Sequence, residues 1–147
     1  MRTEHLTRSH FFKAIEERSE TVVGTIGYMA QVADVYTLPR HGIAYMDRGE
    51  IYAVGGIVPL WDGCGEIWAI PTKRAKEKGV ALGRHLKRTL DIVSKDLGMR
   101  RVQASVKVGY REAHKLVQLF GMQEEGLMKK YGPDGADYVR YAKWPTQ

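Results

Sequence analysis

Seven basic side chains crowd into the sixteen residues 73–88: Lys73, Arg74, Lys76, Lys78, Arg84, Lys87 and Arg88, against one acid, Glu77. Among them stands Gly79-Val80-Ala81, with Lys76 three residues before the glycine. A glycine turn that opens a helix aims several backbone N–H groups at one point, at the positive end of the helix dipole, where a phosphate or pyrophosphate can sit. Cations around the turn attract the same anion. Residues 73–88 carry a net +6, equal to the formal charge of the whole chain, because 1–72 (net −3) and 89–147 (net +3) cancel. The pattern favours a small phosphorylated cofactor. Two readings stay beside it: a solvated helix face, the usual meaning of a charge run, and a longer polyanion such as nucleic acid or a membrane surface. The nucleic-acid reading lacks aromatic residues interleaved with the charges, which a base-stacking platform needs.

Other chemistries find little support. Cys64 is the only cysteine, so no intramolecular disulfide and no thiolate zinc site can form. It sits in a glycine turn with no basic neighbour to activate it as a nucleophile. His5, His10, His41, His85 and His114 show no metal-ligand spacing, and no metal is expected. At 147 residues with 44% apolar composition, the chain can bury a core without metals or disulfides, and one domain over 1–147 is expected. The first residues lack the apolar run of a signal peptide, and no stretch approaches the roughly 18 apolar residues of a membrane span. A soluble, cytoplasmic protein is the expectation.

The elements that must position these residues follow from periodicity. Met1 to Thr7 reads as extended. Ser9 is the expected cap of a helix to about Arg18, with Phe11, Phe12 and Ile15 on one face, and a second helix is expected over Thr25–Tyr36. Ile43–Met46 and Ile51–Ile57 flank Asp47-Arg48-Gly49-Glu50 as a hairpin. Gly55-Gly56 inside its second strand signals a bulge or a close backbone approach. A turn at Trp61–Gly65 leads into a third strand, Glu66–Ile70. A long helix is predicted from Lys76 to Leu97, with Leu86, Leu90, Val93 and Leu97 as its core stripe and Gly98 as its stop. Val102–Val108 alternates as a strand. Arg111–Phe120 forms a short helix closed by Gly121, with Ala113, Leu116, Val117 and Phe120 inward. Met122–Tyr131 and Asp137–Trp144 form a last hairpin. The class is α+β with a mixed, mostly antiparallel sheet, and the long helix joins two strands that can run parallel.

This order resembles the GCN5-related N-acetyltransferase (GNAT) fold. In that family the fourth strand leads into a loop reading Arg/Gln-x-x-Gly-x-Gly/Ala, and Lys76-Glu77-Lys78-Gly79-Val80-Ala81 has that spacing. Tyr110 to Met122 follows the family pattern Asn-x-x-Ala-x-x-Leu-Tyr-x-x-x-Gly-Phe, with Ala113, Leu116 and Gly121 in register. The resemblance runs from about Gly42 to Trp144. It implies acetyl-CoA as the cofactor, its pyrophosphate on Gly79, Val80 and Ala81, with Lys76, Lys78, Gly83 and Arg84 close by. It also implies that the backbone of Ala69 and Ile70 holds the pantetheine arm. Glu66 takes the place of a general base, with Asp62 as the alternative; Ser105 stands on the active-site strand and could position a water. The family's usual Asn is Tyr110 here. The Tyr that often protonates the departing CoA thiolate is Val117, which donates no proton, so Tyr110 is the candidate to supply a phenol.

The implied activity is transfer of an acetyl group from acetyl-CoA to a primary amine of a protein or small molecule. The short length, Gly55-Gly56 and the Val106-Lys107-Val108-Gly109 run are similar to small acetyltransferase-fold proteins of podovirus-type phages. That similarity implies the runner-up: a fold that has lost its chemistry and serves virion assembly or host-protein binding, in host cytoplasm or virion. A third reading is a nucleic-acid binder using the 73–88 face.

Overall fold

A computed structural model describes residues 2–19 and 26–145. Seven strands form one sheet: β1 (Arg2–His5), β2 (Gly42–Asp47), β3 (Glu50–Trp61), β4 (Cys64–Pro71), β5 (Arg101–Lys107), β6 (Gln123–Met128) and β7 (Tyr138–Lys143). Their spatial order is β1-β2-β3-β4-β5-β7-β6, and every neighbouring pair is antiparallel except β4 and β5. Helices α1 (Arg8–Glu16), α2 (Ile26–Gln31) and α3 (Ala33–Tyr36) cover one face through Phe11, Ala14, Met29 and Ala33, packed with Val54, Trp68 and Ile70. Helices α4 (Gly79–Asp96) and α5 (Arg111–Leu119) cover the other through Leu82, Leu86, Leu90 and Val117.

Three local expectations are corrected. The cap of α1 is Thr7, not Ser9: the Thr7 hydroxyl accepts from the His10 backbone N–H, and the His10 ring accepts from the Thr7 N–H. Two residues thus satisfy each other's orphan donors, which Ser9 has no partner to do. The helix expected over Thr25–Tyr36 is two short ones, broken where Val32 leaves the helical region (φ −114°, ψ 37°), while Thr25 itself lies outside the described residues. The long helix starts at Gly79, and Ala75–Glu77 forms a separate 3-10 turn before it.

The glycine pair in β3 serves close approach. A Cβ on Gly56 would lie 2.5 Å from the His41 carbonyl oxygen and 3.0 Å from the Gly42 Cα, so β2 and β3 pack backbone to backbone there. The register irregularities along β3 sit elsewhere, at Tyr45/Met46 against β2 and at Pro59/Trp61 against β4. The last two strands pair as a hairpin, but β7 inserts between β5 and β6, leaving β6 at the edge.

One core contact makes stability depend on pH. The buried Tyr45 ring meets the His85 imidazole edge-on at 5.0 Å, and His85 Nε2 is buried without a hydrogen-bond partner among the described residues. Burial, and after it the Arg88 guanidinium, hold the imidazole below its ordinary range. The unfolded chain therefore takes up this proton at higher pH than the folded one, and stability falls as pH falls through the usual histidine range. Asp47, Glu125 and Asp134 are held low by hydrogen bonds from Lys78, Arg101 and Lys107, and their contribution is lost only below about pH 4. The melting temperature is expected to drop between about pH 7.5 and pH 5, and His85→Phe to flatten that slope. An unchanged slope in the variant would remove His85 as the cause.

Candidate active site

β4 and β5 run parallel and pair only at Cys64–Arg101, Gly65–Val102 and Glu66–Gln103. Beyond that point they diverge. From Ile67 to Pro71, β4 keeps β3 on one edge and has no β5 partner on the other. A cleft of about 640 Å³ opens in the gap, lined by Ile67–Pro71 on one side and by Ala104–Val106, Tyr110, Ala113, Leu116 and Val117 on the other. Its size suits a small-molecule site.

At the apex sits a polar quartet. Strand alternation turns Glu66 to the face carrying Trp68 and Ile70, and turns Gln103 and Ser105 to the same face, opposite Val102, Ala104 and Val106. The β5–β7 register then sets Arg140 beside Ser105. Ser105 Oγ donates to Glu66 Oε2 at 2.8 Å, while Gln103 Nε2 (3.1 Å) and Arg140 Nη1 (3.0 Å) donate to Oε1. Arg140 and Glu66 are 17% and 20% exposed, sheltered enough for the pair to be held firmly. A carboxylate has about four acceptor sites, and three donors fill three of them. Because Ser105 gives its one proton to Glu66, its oxygen is left as an acceptor.

Beyond Glu66 the wall turns aromatic. Tyr36 packs against Phe11 (centroids 5.8 Å) and Trp68 (5.3 Å) and lines the cleft with Tyr28 and Tyr131. Burial, then the Glu66 carboxylate and the Tyr28 and Tyr131 phenols, push the Tyr36 hydroxyl up to about 12, so it stays neutral. Tyr131 is placed by the Arg140 guanidinium over its ring (5.7 Å) and by Tyr138 (5.6 Å). Lys107 holds the loop that carries Pro133 through a 2.7 Å ion pair to Asp134.

Tyr110 caps the start of α5 and lines the cleft. The turn that presents it is braced by His114, whose Nε2 donates to the Lys107 carbonyl (3.1 Å) and whose Nδ1 accepts from the Tyr141 hydroxyl (2.8 Å). Val117 is buried in the same wall.

The sequence-derived candidates divide into two groups. Glu66, Ser105, Tyr110, Ala69 and Ile70 come together on the cleft, whereas Lys76, Lys78, Gly79, Val80, Ala81, Gly83 and Arg84 do not line it. Asp62 does not line it either and lies in the β3–β4 turn. Gly79 starts α4 with φ +57° and open space where a Cβ would be, and no side chain caps the helix. Gly83 is buried where α4 meets α5, its Cβ position 2.6 Å from a Leu119 methyl. The charge run is partly spent inside the molecule: Arg74 pairs with Glu17 and Glu50, Lys87 with Asp91, and Lys78 with Asp47 at 2.7 Å while lying over the Tyr52 ring. Lys76 and Arg84 are exposed and form no ion pair among the described residues. Sequence reasoning missed Arg140, Gln103, Tyr36 and Tyr131. A lone arginine inside the alternating run Tyr138–Lys143 was the one available signal for the first.

No protein-family model and no curated protein matches the sequence. Solved structures do. The chain is similar to Ard1 from Thermoplasma volcanium (TM-score 0.79, 12% identity, covering 99% of this chain and 98% of that one). It is similar to the ribosomal-protein-alanine N-acetyltransferase from Brucella melitensis (TM-score 0.73, 16% identity, 98% and 99% covered). It is also similar to a GNAT superfamily phosphinothricin acetyltransferase from Sinorhizobium meliloti in complex with AcCoA (TM-score 0.73, 17% identity, 98% and 88% covered). The chain has the GNAT acetyltransferase fold.

Proposed function

We propose that this protein is an N-acetyltransferase that moves an acetyl group from acetyl-CoA to a primary amine. One observation carries the reading: the unpaired β4 edge, Ile67–Pro71, opens directly beside the Glu66–Ser105 pair. An extended arm with two amides fits such an edge, because the backbone N–H and C=O groups of Ile67 and Ala69 face away from β3 and can pair with it as a neighbouring strand would, whereas those of Ile70 are turned to Val54. The N–H groups of Gly79, Val80 and Ala81 receive the phosphates, with Lys76 and Arg84 adding charge. Lys78, held by Asp47, fixes the turn that precedes them.

Bound acetyl-CoA supplies an activated thioester: the amine nitrogen bonds to its carbonyl carbon, the carbon–sulfur bond breaks, one proton leaves the nitrogen and one joins the sulfur. The chain's own groups hold and move those protons. Ser105 Oγ accepts from the amine while its own proton shifts to Glu66 Oε2, a relay that the 2.8 Å bond already aligns. Gln103 and Arg140 keep the carboxylate in place. Tyr110 supplies the phenolic proton that Val117 cannot. The cleft walls orient both reactants, and positioning supplies much of the rate.

Calorimetric titration with acetyl-CoA tests the reading. Saturable binding is expected, weakened about tenfold or more by Gly79→Glu, which sets a like charge among the phosphates. Gly79→Asn, which tolerates the left-handed backbone, controls for strain and is expected to bind nearly as wild type. Absence of binding by the wild type would sink the proposal. A second reading, a retained fold without chemistry that serves a phage particle or a host protein, draws on Val117 standing where a proton donor is usual. Acetyl-CoA binding without turnover of any amine would favour it.

A further inference from the structure

We infer that the acceptor is a monoamine carried on an apolar, preferably aromatic, body with no carboxylate, phosphate or second cationic centre. The inference rests on the acetyltransferase reading and names the substrate class of that site. Two observations carry it: the charge of the cleft lining and the composition of the wall beyond Glu66.

Among the described residues, the lining holds two charged side chains, Glu66 and Glu112, both acidic, and no lysine, arginine or histidine. Arg140 stands behind Glu66, committed to its Oε1 and to the Tyr131 ring, and is not part of the lining. An acceptor carrying a carboxylate or phosphate would find no cation in the lining to pair with, since Arg140 already serves Glu66. An anion taken from water into an apolar wall without a partner is strongly disfavoured. This excludes α-amino acids as good acceptors.

Polyamines fail for a different reason. The wall around Glu66 is Tyr28, Val35, Tyr36, Leu60 and Tyr131, apolar bodies and neutral phenols, so one carboxylate serves one ammonium. Glu112 is exposed at the start of α5, on the side of the cleft that carries Ala113 and Leu116, and lies outside this wall. A second ammonium along the chain of a polyamine would find no carboxylate in this wall among the described residues, only half-exposed aliphatic bodies and neutral phenols. A single ammonium has what it needs: the carboxylate ahead, the Ser105 oxygen to accept from it, and the aromatic rings of Tyr36 and Tyr131 in the same lining. The same rings stack on an aromatic body.

The test is thiol release from acetyl-CoA by the full chain with 2-phenylethylamine, phenylalanine and spermidine as acceptors. The first two share a body and differ by one carboxylate. 2-Phenylethylamine is expected to exceed both others in kcat/KM by about tenfold or more. Val35→Lys places a cation in the wall at a position already 42% exposed, and is expected to narrow the gap between phenylalanine and 2-phenylethylamine. Spermidine or phenylalanine equal to or better than 2-phenylethylamine overturns the inference. So does acetyl-CoA binding with neither turnover nor calorimetric binding of 2-phenylethylamine. Loss of acetyl-CoA binding itself overturns the acetyltransferase reading instead, which the titration above separates.

Discussion

Glu66→Gln is expected to lower amine turnover by about 10²- to 10³-fold while leaving acetyl-CoA affinity near wild type. The amide keeps the shape of the carboxylate but cannot take the proton that Ser105 passes on. Its oxygen at the Oε1 position keeps accepting from Gln103 and Arg140, while its NH₂ at the Oε2 position donates to the Ser105 hydroxyl, which turns to accept. The bonds are kept, but Arg140 loses its counter-ion at a site where it is only 17% exposed. The expected loss of stability is about 1–3 kcal/mol. Adding Arg140→Met removes the stranded cation, so the double variant is expected to regain stability without regaining turnover. That split separates the chemical part of Glu66 from its structural part. Turnover by Glu66→Gln within a few-fold of wild type would remove Glu66 from the proton path.

Gly56→Ala is expected to cost about 3 kcal/mol, lowering the melting temperature by roughly 10 °C. The added methyl would lie 2.5 Å from the His41 carbonyl oxygen and 3.0 Å from the Gly42 Cα. Both are backbone atoms in the β2–β3 ladder, so relief requires moving a strand. Gly83→Ala makes the contrast. Its methyl meets a Leu119 terminal methyl at 2.6 Å, but Leu119 is 37% exposed and can rotate away. Helix propensity gains up to about 1 kcal/mol from that change, so a near-neutral effect is expected. Thermal melts of the two variants side by side check the pair. Equal losses would mean that β2 and β3 do not depend on this contact.

Local elements were legible because their signals are local. Asp47-Arg48-Gly49-Glu50 reads as a tight hairpin, and Arg48 and Gly49 indeed take φ of 52° and 78°, the primed-turn geometry. Leu86 and Leu90 are buried in the α4 stripe, and Gly98 (φ 68°) ends the helix. The errors were local too. Thr7 displaced Ser9 as a cap because His10 can answer Thr7, and Val32 broke the helix expected over Thr25–Tyr36.

The site was half legible. Glu66, Ser105 and Tyr110 could be named through the family resemblance, but Arg140, 74 residues beyond Glu66, could not. It reaches Glu66 because β7 lies beside β5 in a register that sets Arg140 opposite Ser105. No spacing in the chain encodes that neighbour. The basic run shows the same division. Composition located its charge at 73–88, yet Glu17, Glu50, Asp47 and Asp91 neutralise Arg74, Lys78 and Lys87 from distant or helical neighbours, leaving Lys73, Lys76, Arg84 and Arg88 exposed and in no ion pair among the described residues.

The sequence by itself determined which segments are helix or strand, their order, and the glycine turn that opens α4 amid positive charge, since these follow from side-chain period and backbone preference within a few residues. Only the tertiary structure decided that β4 and β5 part after Glu66 and Gln103, that a polar quartet closes the apex, and that an aromatic wall with one carboxylate faces it. Those depend on register and packing between segments far apart in the chain, where burial and pairing, not spacing, choose the neighbours.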